Sequence, residues 1–262
     1  MYEGLALFYD ILTADVDYGA EAEFVHALVS ESRAFADYKA RGEAPILLDC
    51  GCGTGRLLLE LTGKGYDGIG LDVSPGMLDA AMNRDGAENV LWICQDMTKM
   101  DLFGSVCAVV SMTDSVNHLL TAGRLASFFG RAHNFLDPGG LLIFDVLTES
   151  HFVDRGGKLK KLEYFADLDG ITCFWTGKYS RARKTCVYDI TCFSEDPEEK
   201  DVYRRFDDTV REKIWDTLEL KRLLSDAGFV SVKVFKGGRG APGGGTGRDR
   251  LFFVCEKGTG NA

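Results

Sequence analysis

Three aspartates each stand at the end of an apolar run. Asp49 follows residues 46–48, Asp72 follows 68–71, and Asp96 lies just past 90–94. Between the first two is the turn Gly51-Cys52-Gly53-Thr54-Gly55, and a leucine-rich segment at 57–61 follows it. A strand, a tight glycine turn and a helix start make a ligand site. Glycines let backbone approach a ligand closely, and helix N–H groups attract its carboxylate or phosphate. An acid about twenty residues after the glycines can accept two hydrogen bonds from a ribose, which assigns Asp72 a nucleoside ligand without naming it. Downstream, the stretch 112–119 leaves the end of a fourth apolar run with Asp114, Asn117 and His118. If an acceptor there must lose a proton, His118 is the first candidate general base, then Asp114 or one of the N-terminal tyrosines.

The spacing narrows the ligand. A dinucleotide fold wants G-x-G-x-x-G. Here the third glycine comes one place early, and an acid precedes the first by two. This pattern resembles motif I of the class I S-adenosylmethionine (SAM)-dependent methyltransferases. The resemblance implies that Asp49, Gly51, Cys52, Gly53, Thr54 and Gly55 surround the amino-acid end of SAM. It implies that Asp72, with Val73 and Met77 beside it, holds the ribose. Gln95-Asp96-Met97 resembles the next motif, where the acid takes the adenine amino group and the following N–H takes a ring nitrogen. Met112 and Thr113 fall where that family passes the methyl group. Tyr9 and Tyr18 resemble the N-terminal tyrosines that close over the cofactor, although a plain packing role accounts for them equally well. Asp137-Pro138-Gly139-Gly140 followed by 141–145 resembles the family's entry to its fifth strand. The likeness covers about residues 45–147. The Pro-Pro-aromatic signature of amino-methylating nucleic-acid enzymes is missing, because Ser111-Met112-Thr113-Asp114 stands at that point.

The elements that position these residues alternate strand and helix, so the expected fold is α/β. It is a Rossmann-like seven-stranded sheet in the order 3-2-1-4-5-7-6, with the last strand antiparallel, helices on both faces and a small antiparallel insert. Residues 1–40 read as a helical cap, with one helix from about Gly19 to Lys39. Residues 41–149 and 214–257 read as the cofactor-binding domain. Residues 150–213 break the alternation. Segments 171–176, 186–193 and 202–215 read as strands, and this insert is expected to wall the acceptor pocket with aromatic side chains; a dimer surface is the alternative. Ser74 with Pro75, and Thr121, are helix caps, and Asp216 with Glu219 reads as a capping box. The glycine-rich stretch 236–250 reads as a mobile loop.

Composition limits the partners. The chain has 262 residues, 45% of them hydrophobic, and a formal net charge of -10. An acidic surface repels phosphate backbones and anionic lipid, so nucleic acid and membrane are poor partners. The N-terminus lacks a basic segment followed by an apolar run, and no apolar stretch approaches the length that spans a bilayer. The eight cysteines show no zinc-ligand spacing; free buried thiols and a cytoplasmic monomer or homodimer are expected, although Cys173, Cys186 and Cys192 could meet on one hairpin. The sequence therefore reads as an enzyme that transfers a methyl group from SAM to a small molecule by direct displacement, leaving S-adenosylhomocysteine (SAH), with no metal implied. A catalytically silent SAM-binding protein would carry the same motifs. An NAD(P)-linked oxidoreductase is the third reading, and it lacks its longer glycine fingerprint and catalytic set.

Overall fold

A computed structural model describes residues 6, 8–168, 170–196, 198–199, 201–237 and 249–260. The chain begins with α1 (Tyr9–Leu12), α2 (Tyr18–Val29) and α3 (Arg33–Arg41). The single helix expected from Gly19 to Lys39 is two. Ser32 has an extended backbone, and its side chain accepts from Phe35 N, which starts a new helix there. Strand β1 (Ile46–Cys50) then leads through the glycine turn to α4 (Arg56–Thr62), β2 (Asp67–Asp72), α5 (Pro75–Met82), β3 (Leu91–Cys94) and β4 (Val106–Ser111). Helix α6 (Ala122–Phe135) runs directly into β5 (Leu136–Leu147). The expected 137–140 turn is thus the irregular start of a strand. Gly139 has a φ of 75°, and the register with β4 shifts there. After α7 (Glu149–Phe152) come β6 (Leu162–Leu168), β7 (Ile171–Ser180), β8 (Thr185–Glu195) and β9 (Tyr203–Lys213). The chain closes with α8 (Thr217–Asp226), β10 (Phe229–Lys236) and β11 (Arg250–Lys257).

The main sheet has seven strands in the order β10-β11-β5-β4-β1-β2-β3, which is the expected topology. Strand β11 runs against the other six, pairing antiparallel with both β5 and β10. Because helices cover both faces, the central strands read as near-continuous apolar runs; all six residues of β4 are buried. Successive side chains feed opposite layers. Phe144 and Phe253 stack at 4.8 Å and pack with Phe128, Phe129 and Leu224 under α6 and α8. Ile143 and Phe252 point the other way, to Val25, Leu58 and Leu61 under α2 and α4.

The insert is a separate sheet, β6-β7-β8-β9, with one strand more than its sequence pattern indicates. Strand β6 lies at the edge with Tyr164 and Phe165 exposed, so no buried alternation marks it. Its inner face packs Cys186, Tyr188, Ile190 and Val210 against Phe8, Leu147 and Phe152. Cys173 and Cys192 face each other in register and form a disulfide, so not every cysteine is free as expected. Cys94 is exposed rather than buried. Asp216 stands before α8 but makes no capping bond; its carboxylate takes Lys184 instead. The glycine-rich loop expected to be mobile falls largely on 238–248, outside the described residues. Among the described residues, no helix is long and apolar enough to cross a membrane.

Candidate functional site

The carboxyl ends of β1, β2, β3 and β4 open into one cavity of about 310 Å³. Its first wall is the glycine turn. Gly51 N and Cys52 N both donate to Leu71 O, at 2.7 and 3.1 Å, which folds the turn over the end of β2. Gly51 has a φ of 76°, and a Cβ there would lie 2.8 Å from Ser115 Oγ, so only glycine fits. Asp72 fixes the turn as well. Its Oδ2 accepts from Gly53 N at 2.9 Å and its Oδ1 from Ser74 N at 2.8 Å. Burial pushes the Asp72 carboxyl up, and these N–H bonds partly offset that. Asp49 lies deeper, beneath the turn, and burial pushes it up to about 7, with the Asp72 charge adding.

Tyr9, Gly51, Gly53, Asp72, Val73, Met77, Gln95, Asp96, Met97 and Thr113 line this cavity. Tyr18, Asp49, Cys52, Thr54 and Met112 border a small adjoining void of about 20 Å³ behind the turn. Gly55, expected at the cofactor, lines neither. It starts α4 with a φ of 77°, and a Cβ there would lie 2.6 Å from the Trp92 ring; packing requires the glycine. Asp96 caps the short turn after it, accepting from Thr98 N and Thr98 Oγ1, and it pairs with Arg124 at 3.0 Å. Burial alone would raise its pKa; those bonds outweigh it and hold the carboxylate below its usual range. Leu71, Ser115, Leu119 and Arg124 also line the cavity, and no motif announces them. Helix α1 is clasped to the turn, with Thr54 Oγ1 donating to Asp10 Oδ1 at 2.7 Å and Arg84 bridging Asp10 and the Thr54 carbonyl.

The two candidate bases differ in setting. His118 lines the cavity, and its Nδ1 lies 3.2 Å from Arg211 O. Burial lowers its pKa, against the opposing pull of Asp114, so the ring is neutral at pH 7. With Nδ1–H donating to that carbonyl, the basic lone pair sits on Nε2. Asp114 instead lines a second cavity, and Arg250 Nη2 lies 2.9 Å from its Oδ1. Arg250 also pairs with buried Asp145, which accepts from Asp114 N at 3.1 Å. Burial would raise Asp114, but the Arg250 charge outweighs it and holds the carboxyl ionised. The structure thus commits Asp114 to Arg250. Asn117 is fully buried and ties β5 to β9, accepting from Leu147 N and donating to Lys213 O.

The second cavity, about 580 Å³, lies between α2 and the insert sheet. Thr113 lines both cavities. Thr113 and Asp114 have φ of 55° and 56°, a left-handed backbone that costs a β-branched residue energy and recurs at functional sites. Of the insert aromatics expected in a pocket, Tyr164, Trp175 and Tyr188 line it. Phe165 and Phe174 project outward and pack on each other, and Tyr179 stacks on Phe152. Glu21, Glu212, His151 and Arg250 complete the walls, all without a sequence signal.

Comparison with known proteins agrees with this geometry. Residues 47–140 match the family described as methyltransferase domain. A curated relative from Geobacillus sp. (strain WCH70) that carries a provisional methyltransferase name is 29% identical over 98% of this chain and 99% of its own. The dTDP-3-amino-3,4,6-trideoxy-alpha-D-glucopyranose N,N-dimethyltransferase of Streptomyces venezuelae is 34% identical over 53% of this chain and 54% of its own. The crystal structure of a SAM-dependent methyltransferase from Clostridium acetobutylicum superposes with a TM-score of 0.75 at 21% identity, covering 98% of this chain and 99% of that one. Residues 47–140 match a methyltransferase domain, and the chain has the class I fold of the SAM-dependent methyltransferases it superposes on.

Proposed function

We propose that the chain moves the methyl group of SAM to a small-molecule acceptor by direct displacement. The observation that carries this reading is the meeting of two cavities at Thr113, one rooted in the glycine turn and strand-end acids, the other walled by the insert. The residues present fit SAM. A side chain at Gly51 would fill the cradle, which therefore stays open to an amino-acid moiety. Asp72 retains acceptor capacity for ribose hydroxyls beyond its two backbone bonds. Met77, Met97 and Leu119 offer apolar walls to an adenine, with Gln95 and Asp96 at its edge. When bound, SAM supplies an electrophilic methyl group on a sulfonium and departs as SAH.

The chain's own task is positioning and exclusion of water. Holding an acceptor atom in line can contribute about 7–11 kcal/mol. Thr113 stands where the two ligands would touch, and the insert supplies one wall of the second cavity. Of the two candidate bases, His118 on the cofactor cavity is the one to take a proton where the acceptor must lose it, since Asp114 is held by Arg250. The amino-sugar acceptor named for the Streptomyces relative agrees with a small-molecule substrate. Calorimetry should show SAH binding and no NADH binding, and labelled SAM incubated with metabolite pools should yield a methylated product. NADH binding without SAH binding would overturn the reading. SAH binding with no transfer to any pool would leave a SAM-binding protein without turnover.

A further inference from the structure

Glu21 on α2 and Glu212 at the end of β9 both line the larger cavity. They are 3% and 4% exposed, and each has its Oε2 without a hydrogen-bond partner. A buried unpartnered carboxyl oxygen is costly, so a donor from a ligand is the natural partner. The cations on the same wall are engaged. Arg250 is held between Asp114 and Asp145, and Lys161 pairs with Glu163 at 2.6 Å. His151 is kept neutral by burial. Among the described residues, the cavity therefore offers carboxyl groups in search of donors and no unpaired cation.

Resting on the methyltransferase reading above, we infer that the acceptor is a small amine that enters as its ammonium and is received by Glu21 and Glu212. An ammonium brings up to three N–H donors and a charge; Tyr188 and Asp114 bond the Glu212 side chain, but Oε2 of each glutamate remains without a donor. An anionic acceptor would meet these carboxyls with no free cation to offset them. An alcohol would satisfy one oxygen and supply no charge. Burial pushes Glu21 up to about 8, with the Asp145 charge adding, and raises Glu212 well above its usual range, with the Asp114 charge adding. An incoming ammonium restores their ionised forms, so binding expels protons into the buffer. For transfer, the ammonium gives one proton to the carboxylate of Glu21 or Glu212 that receives it. The nitrogen lone pair then forms the N–C bond while the C–S bond breaks, sulfur keeps that electron pair, and an N-methylammonium is left to dissociate.

The test uses the whole protein saturated with SAH and three matched sets of probes: amine, alcohol and carboxylate on butyl, cyclohexyl and phenethyl frames. Calorimetry in two buffers of different ionisation enthalpy reads affinity and proton release together. In at least one set the amine should bind about tenfold or more tighter than its alcohol and carboxylate, with protons released only for the amine. The double variant Glu21→Gln with Glu212→Gln should lose that preference and release, while its SAH affinity stays within about threefold. No amine binding in any set, an alcohol or carboxylate that binds as well, or a preference unchanged in the double variant overturns the inference and leaves the methyltransferase reading standing. Failure of the wild-type protein to bind SAH overturns both.

Discussion

Asp72 serves the turn and, in the proposed reading, the ligand. Its two oxygens already accept from Gly53 N and Ser74 N, so the side chain shapes the cradle before any ribose arrives. Asp72→Ala should therefore weaken SAH binding by about 10- to 150-fold, the value of a charge-assisted hydrogen bond of about 1.5–3 kcal/mol, with the fold retained by circular dichroism. An unchanged dissociation constant would show that the carboxylate touches neither the ribose nor the occupied turn. At this scale the glycines and strand-end acids were legible because their chemistry is written in local spacing. Glu21, Glu212 and Arg250 were not. Arg250 meets Asp145 and Asp114 across 105 and 136 residues of sequence, and no window along the chain contains that triad. Gly55 shows the converse: its place in the turn reads as ligand contact, and the Trp92 ring above it gives the reason for the glycine.

At the scale of elements, strands covered on both faces announced themselves as apolar runs, and so the order of the main sheet could be read. Edge strand β6 could not, because Glu163, Tyr164 and Phe165 are exposed in succession and break any alternation. The α2–α3 break also escaped a reading by periodicity, since Ser30, Glu31 and Ser32 interrupt only one turn. Within the insert, Cys173 and Cys192 close a loop with a sequence separation of 19. A loop of that length implies a stabilisation of about 3 kcal/mol in the chain-entropy account. Thiol titration in denaturant without reductant should count six free cysteines, and eight after reduction. Eight without reductant would mean that the pair is a contact of two thiols. The cross-strand bond also stands apart from the wholly reduced setting that the cysteine pattern suggested.

For the molecule as a whole, buried carboxyls tie stability to pH. Glu21 binds its proton with a pKa of about 8 when folded, against about 4.3 in an unfolded chain. Between those values the folded state holds the extra proton, so stability falls as pH rises through the window. Asp49, pushed up to about 7, acts in the same direction. Asp96 and Asp114 are held low, and their share is lost only in acid, below the usual carboxylate range. His118, His133 and His151, all lowered by burial, act the other way below pH 6.5, so the ligand-free protein should melt at a lower temperature at pH 8 than at pH 6.5, and Glu21→Gln should make that slope shallower. A steeper or unchanged slope in the variant would assign the titration elsewhere. The placing of β11 bears on how the chain comes to be made. It leaves the ribosome after every other strand of its sheet, yet it slots between β5 and β10 and carries the guanidinium that neutralises Asp114 and Asp145. A nascent chain that stops short of Arg250 holds two uncompensated carboxylates, and the pairing faces of β5 and β10 stay unmatched. Synthesis interrupted there yields a product that cannot assemble the cavity and leaves strand edges open to aggregation and proteolysis.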